Sequence, residues 1–227
     1  MILKAARNQI FVLLICCNLL PQSVSAQRDS TLWRVKAGDI IPPVSLAVAG
    51  LVVQGKISRS LQREVRSQYP SFRTNADDFL PYAPGVVSLT LASAGVKGKH
   101  SLGDQLILAL LSNIGAQVVT QGVKRISKYP RPNGEDNHSF PSGHTTTAFA
   151  NAEILHQEYG NRSVLYSIGG YGTASAVGAM RILNNKHWLA DVLMGAGIGI
   201  GATKVFYISY PWLKQKFPRK KKIAVPK

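Results

Sequence analysis

The sequence predicts an all-α protein, and three observations support that fold class. Apolar stretches long enough for helices recur along the chain, almost no segment shows the alternation of apolar and polar residues typical of a strand, and no internal repeat interrupts the pattern. At 227 residues, the chain suits one domain with a sizeable core. The predicted helices cover residues 40–53, 79–96, 106–119, 145–155, 164–180 and 188–207.

Residues 1–26 have the features of an export signal. Lys4 and Arg7 precede an apolar run over 10–20, and small residues at 24–26 form a cleavage site. An uncleaved first membrane anchor is the alternative, although the run is short for a span of about 20 residues. Either interpretation predicts that the rest of the chain is exported.

Both cysteines, Cys16 and Cys17, lie inside this apolar run. A cleaved chain would therefore contain no thiol, which excludes disulfides, cysteine-ligated metals and a cysteine nucleophile. The residues before the pair are Leu14 and Ile15, not the small residues that a lipoprotein acylation site requires.

The chain carries 27 Lys and Arg against 11 Asp and Glu, a formal charge of +16. Such an excess predicts an anionic partner. We expect no nucleic-acid partner, because the sequence has no nucleic-acid-binding motif and carries an export signal. A phosphorylated lipid or a membrane surface fits better, and no protein partner can be inferred.

Two of the predicted helices are poor membrane spans. The first is short and starts at Pro42-Pro43, and the fourth carries Asn151 and Glu153. We therefore expect four or fewer spans to pass a strict hydropathy test, with the rest of the bundle buried or interfacial. The mixed-charge region 56–78 is predicted to be an amphipathic cover.

Small residues dominate the last two predicted helices. In the final helix, four glycines form two overlapping G-x-x-x-G pairs on neighbouring faces, a pattern that lets helix backbones approach closely in membranes. The preceding helix is expected to have the same character. The residues are Gly195, Gly197, Gly199 and Gly201 in the final helix, and Gly169, Gly170, Gly172, Ala174, Ala176 and Gly178 in the preceding one.

Residues 213–227 form a basic C-terminal tail. Because it follows a long apolar helix, the positive-inside rule predicts that it ends in the cytoplasm. A solvated tail, or a patch bound to anionic lipid headgroups, is the alternative. Its cations are Lys214, Lys216, Arg219, Lys220, Lys221, Lys222 and Lys227.

Three blocks of residues carry the candidate chemistry. Each block alone has an ordinary explanation, namely a basic turn, a capped helix start and a surface His–Asp pair. Ten specified residues in order at fixed internal spacings make coincidence remote, roughly below one in a million when each residue occurs about once in twenty. The blocks are Lys124 with Arg131-Pro132, then Pro141-Ser142-Gly143-His144, then Arg181 with His187 and Asp191.

Together the blocks supply what phosphoryl transfer needs, which is positive charge and N–H donors around the phosphate oxygens, a nucleophile and an acid. Lys124, Arg131 and Arg181 can neutralise the phosphate. Ser142 and Gly143 precede a predicted helix, where free backbone N–H groups and the helix dipole favour an anion.

His187 is the predicted nucleophile. Asp191 lies four residues later, on the same helical face, and can hold the proton of one ring nitrogen while the other nitrogen attacks phosphorus. His144, at the start of another helix, is placed to protonate the leaving alkoxide and later to activate water.

These residues resemble the site of the type 2 phosphatidic acid phosphatase superfamily, which is shared with class A acid phosphatases and vanadium-dependent haloperoxidases. The resemblance implies a helical bundle of that kind, partly embedded in a membrane, with a phosphatase domain over residues 27–212. It also implies a phosphohistidine mechanism with no metal and no cofactor. The implied phosphate ligands are Lys124, Arg131, Ser142, Gly143 and Arg181, with His187 as nucleophile, Asp191 as its orienting partner and His144 as acid.

This sequence departs from the family at one position, since Met180 stands where a serine usually precedes the arginine of the third block. The phosphate loses a neighbouring hydroxyl, but no essential charge is missing. We expect the activity to survive.

In membrane members of the family, the first two blocks lie in one extracytoplasmic loop and the third in the next. The charge pattern here fits that arrangement with the basic tail inside. We therefore expect a bacterial inner-membrane phosphatase whose active site faces the periplasm, acting on a phosphate monoester of an anionic lipid.

Cations near Lys124, Arg125 and Lys128 favour a polyanionic headgroup, so lipid A is the first expected substrate. Phosphatidic acid, phosphatidylglycerophosphate and undecaprenyl pyrophosphate are the others. The alternatives to a membrane lipid phosphatase are a soluble periplasmic acid phosphatase of broad specificity and a vanadium-dependent haloperoxidase.

Overall fold

The computed structural model describes residues 35–216. Every regular element within them is helical, which confirms the predicted all-α class. The described helices are α1 (Ala37–Val52), α2 (Lys56–Gln68), α3 (Ala76–Phe79), a 3-10 turn (Leu80–Tyr82), α4 (Ala83–Ser93), α5 (Leu102–Ser127), α6 (Gly143–Tyr159), α7 (Val164–Leu183) and α8 (Leu189–Lys216).

The four long helices α5 to α8 run back and forth and form the body of the bundle. Because successive helices alternate in direction, the C-terminal ends of α5 and α7 meet the N-terminal ends of α6 and α8. We call this the block end, formed by residues 124–144 and 181–191, because it gathers all three sequence blocks. The opposite far end contains residues 97–105, 156–164 and 207–214.

Helix α6 lies at the centre of the bundle, in contact with α4, α5, α7 and α8. The polar residues that made this segment a poor span are buried inside the protein. Asn151 Nδ2 donates to the Pro81 carbonyl oxygen at 3.0 Å, and the Glu153 carboxylate accepts from the Tyr171 hydroxyl. The apolar core around them is Ala148, Phe149, Ala152, Ala174, Val177, Ala196 and Ile200.

The glycines of α8 bring two neighbouring helices close on two different faces. A Cβ on Gly195 would lie 2.7 Å from the Ser142 carbonyl oxygen at the start of α6. A Cβ on Gly197 would lie 2.7 Å from the Pro43 carbonyl oxygen in α1. Gly199 and Gly201 continue the same two faces, so both predicted G-x-x-x-G pairs are used.

Not all the glycines of α7 allow close helix approach, although the sequence predicted the same character for α7 as for α8. A Cβ on Gly169 or on Gly172 would have no atom within 4 Å, so these two glycines face outward, whereas a Cβ on Gly178 would lie 2.7 Å from Val192 Cγ1. Close approach is therefore confined to the buried side of α7. The sequence pattern did not distinguish the two sides because glycines occur on both.

Helix α2 is the amphipathic cover predicted for the region 56–78. It buries Ser58 and Gln62 and exposes most of its basic residues. The Ser58 hydroxyl accepts from the Ala190 N–H at 3.1 Å, so α2 is attached to the first turn of α8 at the block end.

Two helices, α5 and α8, are long and apolar enough to cross a membrane. A third span is added if α1 and α2, which bend by 82° at their junction, count as one. This agrees with the expected four or fewer spans in the part of the chain that is described. Helix α5 also exposes an apolar row spaced at four residues: Leu106, Leu110, Ile114 and Val118.

The predicted leader, residues 1–26, lies outside the described residues, as do residues 217–227 of the basic tail. Helix α8 continues to Lys216, so the boundary expected at residue 212 falls inside this helix. Lys214 Nζ lies 2.7 Å from Asp104 Oδ2 of α5, so the first tail cation belongs to the folded bundle.

Candidate active site

The three blocks converge on one cavity at the block end. Its volume is about 1010 Å³, and six of the eight predicted site residues line it. They are Lys124, Arg131, Gly143, His144, Arg181 and His187. The other two, Ser142 and Asp191, lie directly behind this wall and are fully buried.

His187 is held from behind by Asp191, with His187 Nδ1 3.2 Å from Asp191 Oδ2. The same carboxylate oxygen accepts from the Trp188 backbone N–H at 2.9 Å and from the Ser139 hydroxyl. His187 itself precedes α8, so the predicted shared helical face of His187 and Asp191 is wrong. Asp191 reaches back from the first turn of α8 instead, as a capping carboxylate does.

The other ring nitrogen of His187 faces the cavity. His187 Nε2 lies 3.5 Å from Arg131 Nη1. Burial, together with the charges of Lys124, Arg181 and Arg131, holds the pKa of His187 well below its ordinary value. The imidazole is therefore neutral near neutral pH, with a lone pair available on Nε2 when Nδ1 carries the proton.

Lys124 lies in the last turn of α5 and connects the cavity to the 128–142 connector. Its Nζ donates to the His138 carbonyl oxygen at 2.5 Å and to the Ser139 carbonyl oxygen at 3.1 Å. One ammonium group thus lines the cavity and fixes the segment that carries Ser139, the partner of Asp191.

Arg131 and Arg181 are each oriented by a carboxylate. Arg131 Nε donates to Asp136 Oδ1 at 2.8 Å, and this contact lowers the pKa of Asp136. Arg181 Nη1 donates to Asp77 Oδ2 at 2.8 Å. Arg181 Nε is buried and has no hydrogen-bond partner among the described residues, so it remains a donor for an oxyanion.

The start of α6 separates the roles of Ser142 and Gly143. The Ser142 hydroxyl oxygen caps the helix, accepting from the Thr145 N–H at 3.4 Å and the Thr145 hydroxyl at 2.9 Å, and the Ser142 N–H donates to the Asp191 carbonyl oxygen. Gly143 lines the cavity at the N-terminus of a 17-residue helix, where the dipole favours an anion. Ser142 as a phosphate ligand stays a prediction.

His144 points into the cavity from the first turn of α6. Its Nε2 lies 3.1 Å from Asp78 Oδ1. Burial and the Arg181 charge lower the pKa of His144, and the carboxylates of Asp78 and Asp77 partly offset them. His144 and His187 therefore differ in kind, since His144 has a carboxylate on the cavity side whereas His187 has one behind it.

Sequence reasoning missed four residues that orient this site: Asp77, Asp78, Asp136 and Ser139. Asp136 could have been found, since it follows Arg131 by five residues in a turn. Asp77 and Asp78 could not, because their contacts with Arg181 and His144 cross more than sixty positions of sequence, and the region around them predicted only a cover. Met180, the departure from the family pattern, packs on the apolar core.

The chain is similar in sequence and in fold to known proteins. Residues 105–215 match the model of the PAP2 superfamily. The chain is 40% identical over 134 residues to a Lipid A 1-phosphatase of Porphyromonas gingivalis, an alignment that covers 57% of this chain and 29% of that protein. The chain thus spans less than a third of that relative's length.

A solved structure shows the same fold. It is described as the first transmembrane PAP2 type phosphatidylglycerolphosphate phosphatase from Bacillus subtilis, and it superimposes with a TM-score of 0.51 at 20% sequence identity. The match covers 79% of this chain and 98% of the other. Residues 105–215, the part of the chain that matches the PAP2 superfamily model, hold all three sequence blocks.

Proposed function

We propose that this chain hydrolyses phosphate monoesters of a membrane lipid through a phosphohistidine intermediate, without a metal ion. The observation that carries the proposal is the position of His187. Its Nδ1 is held by Asp191, and its Nε2 faces a cavity whose lining includes Lys124, Arg131 and Arg181. A neutral imidazole in this position is a nucleophile aimed at an anion-binding site.

In the first step, His187 Nε2 attacks phosphorus, a P–N bond forms and the P–O bond to the lipid breaks. The leaving alkoxide takes a proton from His144. In the second step, His144 removes a proton from water, the water oxygen attacks phosphorus, and the P–N bond breaks. Inorganic phosphate leaves, and both histidines return to their initial states.

The cations stabilise the charge on the transferring phosphoryl group. Arg131 and Arg181 are held by carboxylates that fix the plane of each guanidinium, and Arg181 Nε has no other partner among the described residues. Lys124 and the N-terminus of α6 at Gly143 complete the set. Preorganised donors of this kind are the largest single contribution in many enzymes.

The cavity wall supports a lipid substrate. On one side it is formed by Tyr82, Ile114 and Val118, which are 58%, 59% and 66% exposed. Ile114 and Val118 belong to the apolar row on α5, a helix long enough to cross a membrane. An acyl chain lying along this row would reach the phosphate site without leaving an apolar surface.

Lipid A is the first proposed substrate, and the name of the Porphyromonas gingivalis relative supports that choice. Phosphatidic acid, phosphatidylglycerophosphate and undecaprenyl pyrophosphate are the other candidates. A bacterial inner membrane with the block end facing the periplasm is the proposed location, on the basis of the export signal and the basic tail.

The activity is tested by purifying the protein in detergent and measuring phosphate release from a panel of these lipids, with and without a chelator. We expect release that a chelator does not alter and that His187→Ala and His144→Ala each reduce by about 10³-fold or more. His138→Ala is the matched control, because His138 contacts the site through its backbone carbonyl and N–H, which the substitution keeps. Activity abolished by the chelator, or unchanged in His187→Ala, would refute the mechanism.

The orientation is tested with single thiols, which the mature chain would otherwise lack. Asn133→Cys labels the block end and Lys97→Cys the far end. A membrane-impermeant maleimide, added to cells with a permeabilised outer membrane, is expected to label only Asn133→Cys. Labelling of Lys97→Cys alone would contradict the periplasmic site, and release of the protein from membranes by high salt would favour the soluble phosphatase.

A further inference from the structure

A second cavity opens from the phosphate site on the side away from the α5 row. Its volume is about 710 Å³, and it shares Arg131, His144 and Arg181 with the first cavity. Its remaining walls are almost entirely polar and come from the end of α2, the segment 72–78, residues 133–135 of the connector between α5 and α6, and the turn after α7. The phosphate site therefore lies between the apolar α5 wall of the first cavity and the polar second cavity.

The walls of the polar cavity are fixed by hydrogen bonds between distant segments. The Thr74 N–H donates to Asn184 Oδ1 at 3.0 Å, and Asn184 Nδ2 donates back to the Thr74 carbonyl oxygen at 2.9 Å. Gln62 Nε2 donates to the Ile182 carbonyl oxygen at 3.0 Å and to Asn185 Oδ1 at 2.8 Å. These bonds hold both α2 and the segment 72–78 against the end of α7.

The cations of the polar cavity outnumber the carboxylates available to them. Arg181 is paired with Asp77, Lys186 with Glu135, and Arg131 with Asp136 outside the cavity. Two further arginines line the same cavity.

Neither of these two side chains forms an ion pair or a hydrogen bond with a described residue. They are Arg66 on α2 and Arg73 in the segment fixed by Thr74. A guanidinium group offers a planar fork of donors that matches a phosphate or a carboxylate. Two such groups, placed beside a phosphate site and left without a carboxylate, are suited to bind a second oxyanion.

We propose that the polar cavity is a headgroup subsite in which Arg66 and Arg73 bind a second anionic group of the lipid. This inference rests on the proposed function and narrows its substrate class. The substrate carries one phosphate monoester in the catalytic cavity and another oxyanion on the same polar headgroup, while its acyl chains lie along α5. A lipid whose only anionic group is the scissile phosphate leaves the polar cavity unused.

The test compares two substrates, a lipid A carrying two phosphates and phosphatidic acid, which carries one. We divide kcat/KM for the lipid A by kcat/KM for phosphatidic acid. In the double variant Arg66→Ala/Arg73→Ala this ratio is expected to fall by about 30-fold, because charge-assisted hydrogen bonds are lost. The double variant Arg66→Lys/Arg73→Lys keeps the charge but loses the planar fork of donors. Its ratio is expected to lie between those of the wild type and of the double alanine variant.

The matched control is Arg63→Ala, because Arg63 is an exposed arginine of α2 that does not line the cavity. It is expected to leave the ratio unchanged. An equal loss on both substrates in the double variant, or no loss on either, would overturn the subsite.

A binding measurement keeps this inference separate from the catalytic one. In the His187→Ala background, calorimetric titration with the two-phosphate lipid in detergent is expected to give a Kd about ten-fold higher after both arginines are replaced. If no phosphomonoester is hydrolysed but this dependence persists, the proposed function fails and the anionic subsite stands. If hydrolysis occurs and binding is independent of both arginines, the subsite fails alone.

Discussion

The two ends of the bundle both bury charged side chains, but they arrange them in opposite ways. At the far end, Glu158 Oε1 lies 2.7 Å from His100 Nδ1 and accepts from the Tyr207 hydroxyl at 2.8 Å. Asp104 likewise accepts from the Tyr210 hydroxyl and pairs with Lys214. At the block end, donors point into an open cavity, and Arg181 Nε has no partner among the described residues.

The difference indicates which charges stabilise the fold and which are kept for a ligand. Glu158, a buried carboxylate with both oxygens hydrogen-bonded, joins α6 to α8 and to the segment before α5. A cluster of cations facing one cavity raises the energy of the empty protein through mutual repulsion, and an anion relieves that cost. Substitutions at the two ends should therefore separate catalysis from stability.

The largest expected effect is at the block end, in Asp191→Asn. The amide cannot hold the proton on His187 Nδ1, so the imidazole loses its orientation and the stabilisation of its developing charge. We expect kcat to fall by about 10³- to 10⁴-fold, as in other His–carboxylate pairs. Phosphate release from detergent-solubilised protein measures it, and an activity within the range of wild type would show that Asp191 serves only the fold.

Asp78→Asn is the next largest. The carboxylate raises the pKa of His144 against the lowering by burial and Arg181. A general acid is active below its pKa, so removing the carboxylate lowers that pKa further and moves the alkaline limb of the kcat/KM profile to lower pH. We expect about a ten-fold loss at neutral pH.

The pH profile of Asp78→Asn is compared with that of Glu64→Gln, an exposed carboxylate on α2 outside both cavities. Only Asp78→Asn should move the alkaline limb. A uniform loss at every pH would show that Asp78 positions the segment rather than His144.

Glu158→Gln should affect the far end alone. Its carboxylate accepts from the His100 N–H at 2.8 Å as well as from the His100 ring and Tyr207, and one amide cannot replace all these contacts. We expect the free energy of unfolding to fall by about 1–3 kcal/mol, measured by denaturant titration in detergent. The kcat should not change, because α6 separates Glu158 from His144 by about 21 Å. A loss of kcat would show that the far end and the block end are coupled.

The smallest effect is expected for Lys214→Ala. The Lys214 side chain is 57% exposed, and solvent screens its pair with Asp104. Asp104 keeps the Tyr210 hydroxyl as a donor. We expect a loss of less than about 1 kcal/mol in the same unfolding experiment, and a larger loss would show that the far end depends on the cation rather than on the tyrosine.

The sequence was sufficient to predict the parts of the site that lie close together along the chain. Arg181, His187 and Asp191 fall within one helix–turn–helix corner, so their spacing constrains their geometry. The alternation of the four long helices then brings Lys124 and His144 to the same end. The roles of these residues remain predictions, but their convergence on one cavity follows from chain topology.

The contributions of residues 56–78 could not be predicted in the same way. Asp77 reaches the site through Arg181 at the end of α7, Asp78 through His144 of α6, and Arg66 only because α2 packs against the end of α7. No spacing rule connects these residues to the site. Composition marked this region as amphipathic, which describes α2 correctly. Composition does not say which cavity an amphipathic cover closes.

Lys124 connects anion binding to the order of the 128–142 connector. Its ammonium group bonds two carbonyl oxygens of that connector while facing the cavity. A bound anion gains free energy when the closed connector holds Lys124 in place. Because thermodynamic linkage is reciprocal, the bound anion raises the free energy of opening the connector by the same amount. Occupied protein should therefore exchange the Ser139 amide hydrogen, which is bonded to the Tyr129 carbonyl, more slowly than empty protein.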